Sequence, residues 1–219
     1  MSAPPPDVLP PLPRRIRFAA VVCLVLSGLT GLFSLSEMMS LGHLSELRDS
    51  DQPRLSSMFG DPAVTQRAFE AQLSALEPMR ESRSLVLGAL SVACAFTFVA
   101  AGRLLRPGGL PLERVRRLLG AASIVAALLR TIDGAQWAVV ARRMAVTLVD
   151  ALRQQPEFQA PEMAAQLEPT VLFFMSASTM LQTAIIAGTF ALLGQYFRSE
   201  TVRQAVIAHG GDDLAEEED

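Results

Sequence analysis

Apolar residues gather in four long runs, at positions 18–36, 84–102, 118–140 and 170–197, separated by segments rich in Arg, Asp, Glu and Pro. A hydrocarbon core of about 30 Å takes about 20 residues of α-helix, so each run is long enough to cross it. The pattern predicts an all-α integral membrane protein with four transmembrane helices in a bundle, over about 18–41, 84–105, 117–141 and 170–197. The spans belong to one membrane domain, residues 14–208, with connecting loops at 42–83 and 142–169 and tails at 1–13 and 209–219. The rest of the chain is too short to hold a separate large soluble domain.

Helical patterning does not stop at the membrane. From Arg114 to Gln155 no Pro and no Gly pair interrupts it, which predicts a helix of about 60 Å at 1.5 Å per residue. The first helix extends in the same way through Leu44 and Leu47 toward Asp49. Helices 1 and 3 are therefore expected to project beyond the membrane and to pack with two short loop helices. Asp61-Pro62 places an N-cap before a proline at the first helical position, and Phe69, Leu73 and Leu76 follow at helical spacing. In the second loop Pro161 opens a stretch with Met163 and Leu167 one turn apart. Both stretches are expected to end on a Leu-Glu-Pro triplet, Leu76-Glu77-Pro78 and Leu167-Glu168-Pro169.

The shared triplet has a counterpart at the other helix starts, where Arg14, Arg15, Ala19 and Ala20 align with Arg116, Arg117, Ala121 and Ala122. Each half then reads as a basic start, a long helix, a loop helix and a returning span. Such a two-span repeat would be parallel, with its axis along the membrane normal. Chance similarity between Ala- and Leu-rich helices is the competing explanation.

Charge sets the expected orientation. Arg103, Arg106, Arg114, Arg116 and Arg117 crowd between the second and third runs, whereas the Arg residues of 42–83 are spread out and mixed with acids. Positive flanks stay in the cytoplasm, so both termini read as cytoplasmic and the two helical loops as outward. The same five arginines are candidate contacts for anionic lipid head groups. The proline-rich start, MSAPPPDVLPPLP, reads as an extended disordered tail, and the acidic end Asp212–Asp219 as a solvated one. The basic stretch, apolar run and Ser34-Leu35-Ser36 also satisfy the outline of a signal peptide. The pattern continuing through Met38 and Leu41 favours a span. All 19 basic residues are Arg, a usage that fits a GC-rich bacterial genome and hence a bacterial inner membrane.

Chemistry narrows the function classes by elimination. Cys23 and Cys94 lie inside predicted spans, where thiols behave as small hydrophobes. The two histidines, His43 and His209, are far apart in sequence, so no metal or haem ligand set is present and no cofactor is expected. Gly108-Gly109 lacks the lysine and helix of a phosphate loop. Ser176, Ser178, Thr179 and Thr183 read as backbone-bonded hydroxyls, not nucleophiles. No nucleic-acid partner is expected.

One intramembrane feature stands out. Arg130 and Asp133 lie in the third run, where each charge costs about 2.5–3.5 kcal/mol near a helix centre. Arg130, Asp133, Gly134 and Trp137 share one helix face, which predicts a neutral pair turned toward other helices, with Gln182 of the fourth span at a similar depth. Glu37 falls near the predicted outer interface, where water can solvate it. Ser27/Gly31, Ala89/Ala93 and Ala184/Gly188 carry the small-residue spacing of close helix contacts. Two functions fit: a non-catalytic accessory, scaffold or sensor subunit meeting a membrane or extracytoplasmic partner, or a second copy, through its outward helices; or a small-solute or ion transporter using Arg130 and Asp133. An enzyme would have to rely on chemistry carried by its substrate.

Overall fold

The computed structural model describes residues 12–43, 62–106, 111–155, 158 and 160–210. Six α-helices and one 3₁₀ turn form among them: α1 Arg14–Gly42, α2 Pro62–Leu76, the turn Glu77–Met79, α3 Arg80–Leu105, α4 Leu112–Arg153, α5 Pro161–Arg198 and α6 Glu200–Gly210. Four helical stretches, Arg14–Gly42, Val64–Leu105, Leu112–Arg153 and Pro161–Arg198, are long and apolar enough to cross a membrane. Expectations for the proline-rich start, the Asp61 cap, the extension of α1 beyond His43, the Gly108-Gly109 turn and the acidic end lie outside the described residues.

The long helix α4 runs unbroken for 42 residues, about 63 Å at 1.5 Å per residue. Its start is closed by the carbonyl of Pro111, which accepts from the Arg114 amide at 3.0 Å. Pro13 plays the same part for α1, accepting from Ile16 at 2.9 Å. A proline just before a helix loses nothing by lacking an N–H, since first-turn donors have no partner inside the helix.

The first Leu-Glu-Pro triplet ends α2 at Leu76, as expected, but the second does not end its helix. After Leu167 the helix passes straight through Pro169, so 161–169 is the first part of α5 and not a separate loop helix. After Leu76 a single 3₁₀ turn carries Pro78 at its start, with Leu76 and Arg80 both in right-handed helical backbone. The physical reason is local. A 3₁₀ turn asks no hydrogen bond of the proline nitrogen, and Leu76 and Leu167, both buried, anchor the chain on either side of the weak point. An interior proline costs about 3 kcal/mol in an isolated helix, and tertiary burial offsets it.

Buried positions follow intervals of three and four along three helices. On α1 they are Ile16, Ala20, Cys23, Ser27, Thr30, Ser34 and Leu41; on α3, Leu87, Leu90, Cys94, Thr97, Ala101 and Leu104; on α4, Leu119, Ser123, Ala126, Asp133 and Val140. That spacing keeps one seam of a helix toward its neighbours. Most of α5 is different, because Phe173, Phe174, Met180, Leu181, Ile185 and Leu192 are all more than half exposed. The two spans behind the shared triplets therefore bury different faces. Aligned on Leu76 and Leu167, buried Leu87, Leu90 and Cys94 fall opposite exposed Ser178, Leu181 and Ile185. Likewise Arg14 is exposed where its counterpart Arg116 is buried, while Arg15 and Arg117 are both exposed. The sequence likeness of the halves does not extend into a shared buried face.

The chain divides into two compact units, one formed by 1–31, 92–127 and 189–219, the other by 32–91 and 128–188. In the first, Ile16, Ala20 and Cys23 of α1 share a core with Leu104 of α3, Leu119 of α4, Phe197 of α5 and Val202 and Val206 of α6. Here α4 and α5 meet backbone to backbone. A Cβ on Gly194 would sit 2.7 Å from Ile124 and 3.1 Å from the Gly120 carbonyl, which only glycine allows.

The second unit holds α2 in place. Ala75 and Leu76 pack with Leu41, Leu87 and Val140, and Val64 packs with Leu148 and Ala151. Arg80 donates to the Gly42 carbonyl at 2.9 Å, Arg67 to Gln154 at 2.7 Å and Arg153 to Glu168 at 2.9 Å. Of the apolar residues expected to be covered here, Leu73, Leu76 and Leu167 are buried, Phe69 is half-buried and Met163 is half exposed. Leu76→Asp is therefore expected to open this core, because a buried unpaired carboxylate is strongly unfavourable. Limited proteolysis should show faster cleavage of 62–79 in Leu76→Asp and a smaller change in Phe69→Asp; equal rates for Leu76→Asp and the parent would refute the packed arrangement.

Candidate functional site

Four charged side chains from three helices meet in the second unit. Arg130 donates from Nη1 to Asp133 Oδ2, one turn along α4. Asp133 is fully buried, and its Oδ1 lies 2.9 Å from Nη2 of Arg83 on α3, an ionic contact without the alignment of a hydrogen bond. Arg83 is also fully buried and shares that same Nη2 with Glu37 of α1, donating to Oε1 from Nη2 at 2.6 Å and from Nε at 3.1 Å. The result is an alternating line Glu37, Arg83, Asp133, Arg130 with no formal net charge. Trp137 completes it, with the Arg83 guanidinium 4.8 Å from the centre of its ring. Such a cation–π contact strengthens as water is excluded.

The helices dictate this meeting. Arg130, Asp133 and Trp137 follow one another at intervals of three and four on α4, and Arg83 precedes Leu87 and Leu90 on the buried seam of α3. Glu37 falls three residues after Ser34 and four before Leu41 on the seam of α1. Only 13% of the Arg130 side chain and 30% of the Glu37 side chain are exposed. Immediately after Asp133, Gly134 lets α5 come close: a Cβ there would sit 2.3 Å from both Oγ1 and Cγ2 of Thr183. Thr183 itself donates back to the Thr179 carbonyl at 2.8 Å, as expected of a hydroxyl in a membrane helix.

Sequence reasoning brought Arg130, Asp133 and Trp137 together and missed the central cation. Arg83 stands one residue before an apolar run and reads as an interfacial Arg, and Glu37 reads as solvated at the opposite edge. Both sit on intervals of three and four with the buried positions that follow or precede them, which is the signal that could have found them. Gln182 is exposed on α5, while Thr183, its neighbour, faces α4. Of the small-residue pairs expected at contacts, Ser27 and Ala93 are buried, but Ala89 and Ala184 are exposed and a Cβ on Gly188 would meet nothing within 4 Å.

The basic cluster in the first unit divides in two. Arg103, Arg106, Arg114 and Arg117 are exposed, as head-group contacts require. Arg116 is buried and occupied within the chain, donating to Glu113 from Nε and Nη2 at 2.7 Å each and to the Phe197 carbonyl from Nη1. Arg117 also donates to Glu113, at 2.7 Å. Hydrogen bonding from Arg116, only partly opposed by burial and reinforced by Arg117, holds the Glu113 carboxyl at about 2, so this group ahead of the apolar run is charged at any physiological pH. Arg116 thus ties the start of α4 to the end of α5.

Comparison with family models, curated proteins and solved structures finds no match for this chain.

Proposed function

We propose that this chain is a non-catalytic, multi-pass subunit of a bacterial inner membrane, a four-helix bundle serving as an accessory, scaffold or sensor component through the layer built by α2 and the adjoining end of α4. One observation carries the reading: the groove between α2 and α4. Ala71, Ser74 and Ala75 line one wall, Val139 and Val146 the other, and the exposed Arg142 and Arg143 stand beside them with no acid in the lining. An apolar floor beside paired cations suits a partner segment carrying apolar and acidic residues. The intramembrane charges support the same reading, because they neutralise one another and so serve to clamp helices. On the positive-inside rule this groove faces outward.

A photoreactive residue at position 146 in intact cells is expected to give one discrete adduct. Reversing both Arg142 and Arg143 to Glu should abolish it, and reversing Arg153 should not. A spread of adducts indifferent to both changes would refute a specific partner.

Transport of an ion or small solute through Arg130 and Asp133 is the second reading. It is favoured by unmade hydrogen bonds, since Arg83 Nη1, Arg130 Nε, Asp133 Oδ1 and Gln136 Oε1 are buried without one. Flux in proteoliposomes that Asp133→Asn abolishes at unchanged folded yield would establish this reading over the first.

A further inference from the structure

The first unit carries a groove that the proposed partner surface does not use. It lies between the first turns of α1 and the last turns of α5. Its floor is apolar, built from Phe18, Ala19, Leu192 and Leu193, and its polar members are Arg14, Arg15 and Tyr196. We propose that this groove binds one anionic phospholipid, the phosphate held by Arg14, Arg15 and the Tyr196 hydroxyl and an acyl chain lying along Phe18 and Leu192.

The arrangement of polar and apolar members selects this ligand. Along α1 the two arginines precede Phe18 and Ala19 by about one turn, and along α5 Tyr196 follows Leu192 by one turn, so donors and apolar wall stand about 6 Å apart on both helices. The apolar wall lies toward the middle of the hydrophobic runs, the donors at their ends. A phospholipid has the same order along the membrane normal, phosphate outside and chains inside. A free anion or a soluble acidic peptide would use the donors and leave the wall empty.

Charge supports the assignment. Elsewhere in this unit Arg116 and Arg117 are held by Glu113 and Arg203 by Glu200. Arg14 and Arg15 are exposed, and among the described residues neither has a carboxylate partner; no acid lines the groove. Phe18 and Leu192 are 72% and 69% exposed, an apolar surface that membrane lipid can cover. Tyr196 is positioned before any ligand arrives, its ring packed edge-on against buried Phe197 with centroids 5.5 Å apart. Its phenol donates to no group among the described residues. Basic pockets between spans on the cytoplasmic side are a recurrent mode of anionic-lipid recognition.

The test reconstitutes the full chain in nanodiscs of mixed phosphatidylglycerol and phosphatidylcholine and measures co-purified lipid after detergent extraction by native mass spectrometry. The parent is expected to retain phosphatidylglycerol selectively. Arg14→Gln with Arg15→Gln should reduce that selectivity about thirtyfold, as removal of two cations near an anionic surface implies. Tyr196→Phe should reduce it less, and Arg203→Gln, outside the groove and paired with Glu200, should leave it unchanged. Phe18→Ser with Leu192→Ser removes the exposed apolar wall while keeping every cation and should also reduce retention. Selectivity that survives the double Arg14/Arg15 change in folded protein would overturn the proposal, as would retention indifferent to Phe18→Ser with Leu192→Ser. Displacement by millimolar inorganic phosphate would do the same, marking a free-anion site instead of a lipid site.

Discussion

Replacing Asp133 with leucine is expected to destabilise the protein by about 3–5 kcal/mol, the usual cost of breaking a buried ion pair from one side. Asp133 is the carboxylate shared by Arg83 and Arg130, so its loss leaves two guanidinium groups and only Glu37 to balance them. Arg130→Leu should cost less, because Asp133 then keeps Arg83. The double change Arg130→Leu with Asp133→Leu leaves the Glu37–Arg83 pair, which is neutral and hydrogen-bonded through Nη2 and Nε. It should therefore recover most of the loss of Asp133→Leu. Arg83→Leu combined with Asp133→Leu should not recover, since it strands Arg130 without a carboxylate and Glu37 without a cation. Thermal unfolding in detergent, with folded yield from the membrane, ranks the variants. Asp133→Leu unfolding together with the parent would refute the buried cluster.

The second large effect is expected at Gly134. A methyl group there would meet Thr183 Oγ1 and Cγ2 at 2.3 Å and its Cβ at 2.8 Å, and no rotation of Thr183 clears a clash that includes Cβ. Helix propensity alone would make Gly→Ala favourable by about 1 kcal/mol. Gly134→Ala is expected instead to lower stability by about 1–3 kcal/mol, as overpacking does, and Gly134→Val by more. Thr183→Gly in the same chain removes all three clashing atoms and should restore much of the loss, so a double-mutant cycle should show strong coupling. Gly188→Ala, in open space, is the control and should be neutral. Equal unfolding of Gly134→Ala and Gly188→Ala would show that α4 and α5 do not approach at this point.

These two positions mark the boundary between pattern and packing. Gly134 and Gly188 look alike in sequence, each a glycine in an apolar helix, and Gly188 belongs to the more regular small-residue pair. The difference is rotational: Gly134 faces Thr183, whereas nothing lies within 4 Å of a Cβ placed on Gly188. Arg83 and Arg80 present the same problem. Both precede the second apolar run, yet Arg83 enters the cluster and Arg80 is exposed and caps the end of α1 through the Gly42 carbonyl. Three residues leave two side chains on nearly the same face but about 4.5 Å apart along the axis, so Arg80 meets the end of α1 at Gly42 while Arg83, most of a turn further along, meets Glu37.

Sequence by itself determined the quantities that depend on one helix at a time. Four runs of bilayer length, the extent of α4, the i, i+3 pairing of Arg130 with Asp133 and the absence of recognisable catalytic motifs all follow from spacing and residue chemistry along a single axis. Tertiary structure decided what depends on several helices at once: that Arg83 sits between Glu37 and Asp133, that Gln182 turns away while Thr183 turns in, and that Arg116 is consumed by Glu113 and the Phe197 carbonyl. It also carried the second Leu-Glu-Pro triplet, with Pro169, through as α-helix. The reason is that periodicity specifies a helix's faces but not which face meets which neighbour, and burial there can outweigh the local cost of a proline or a charge.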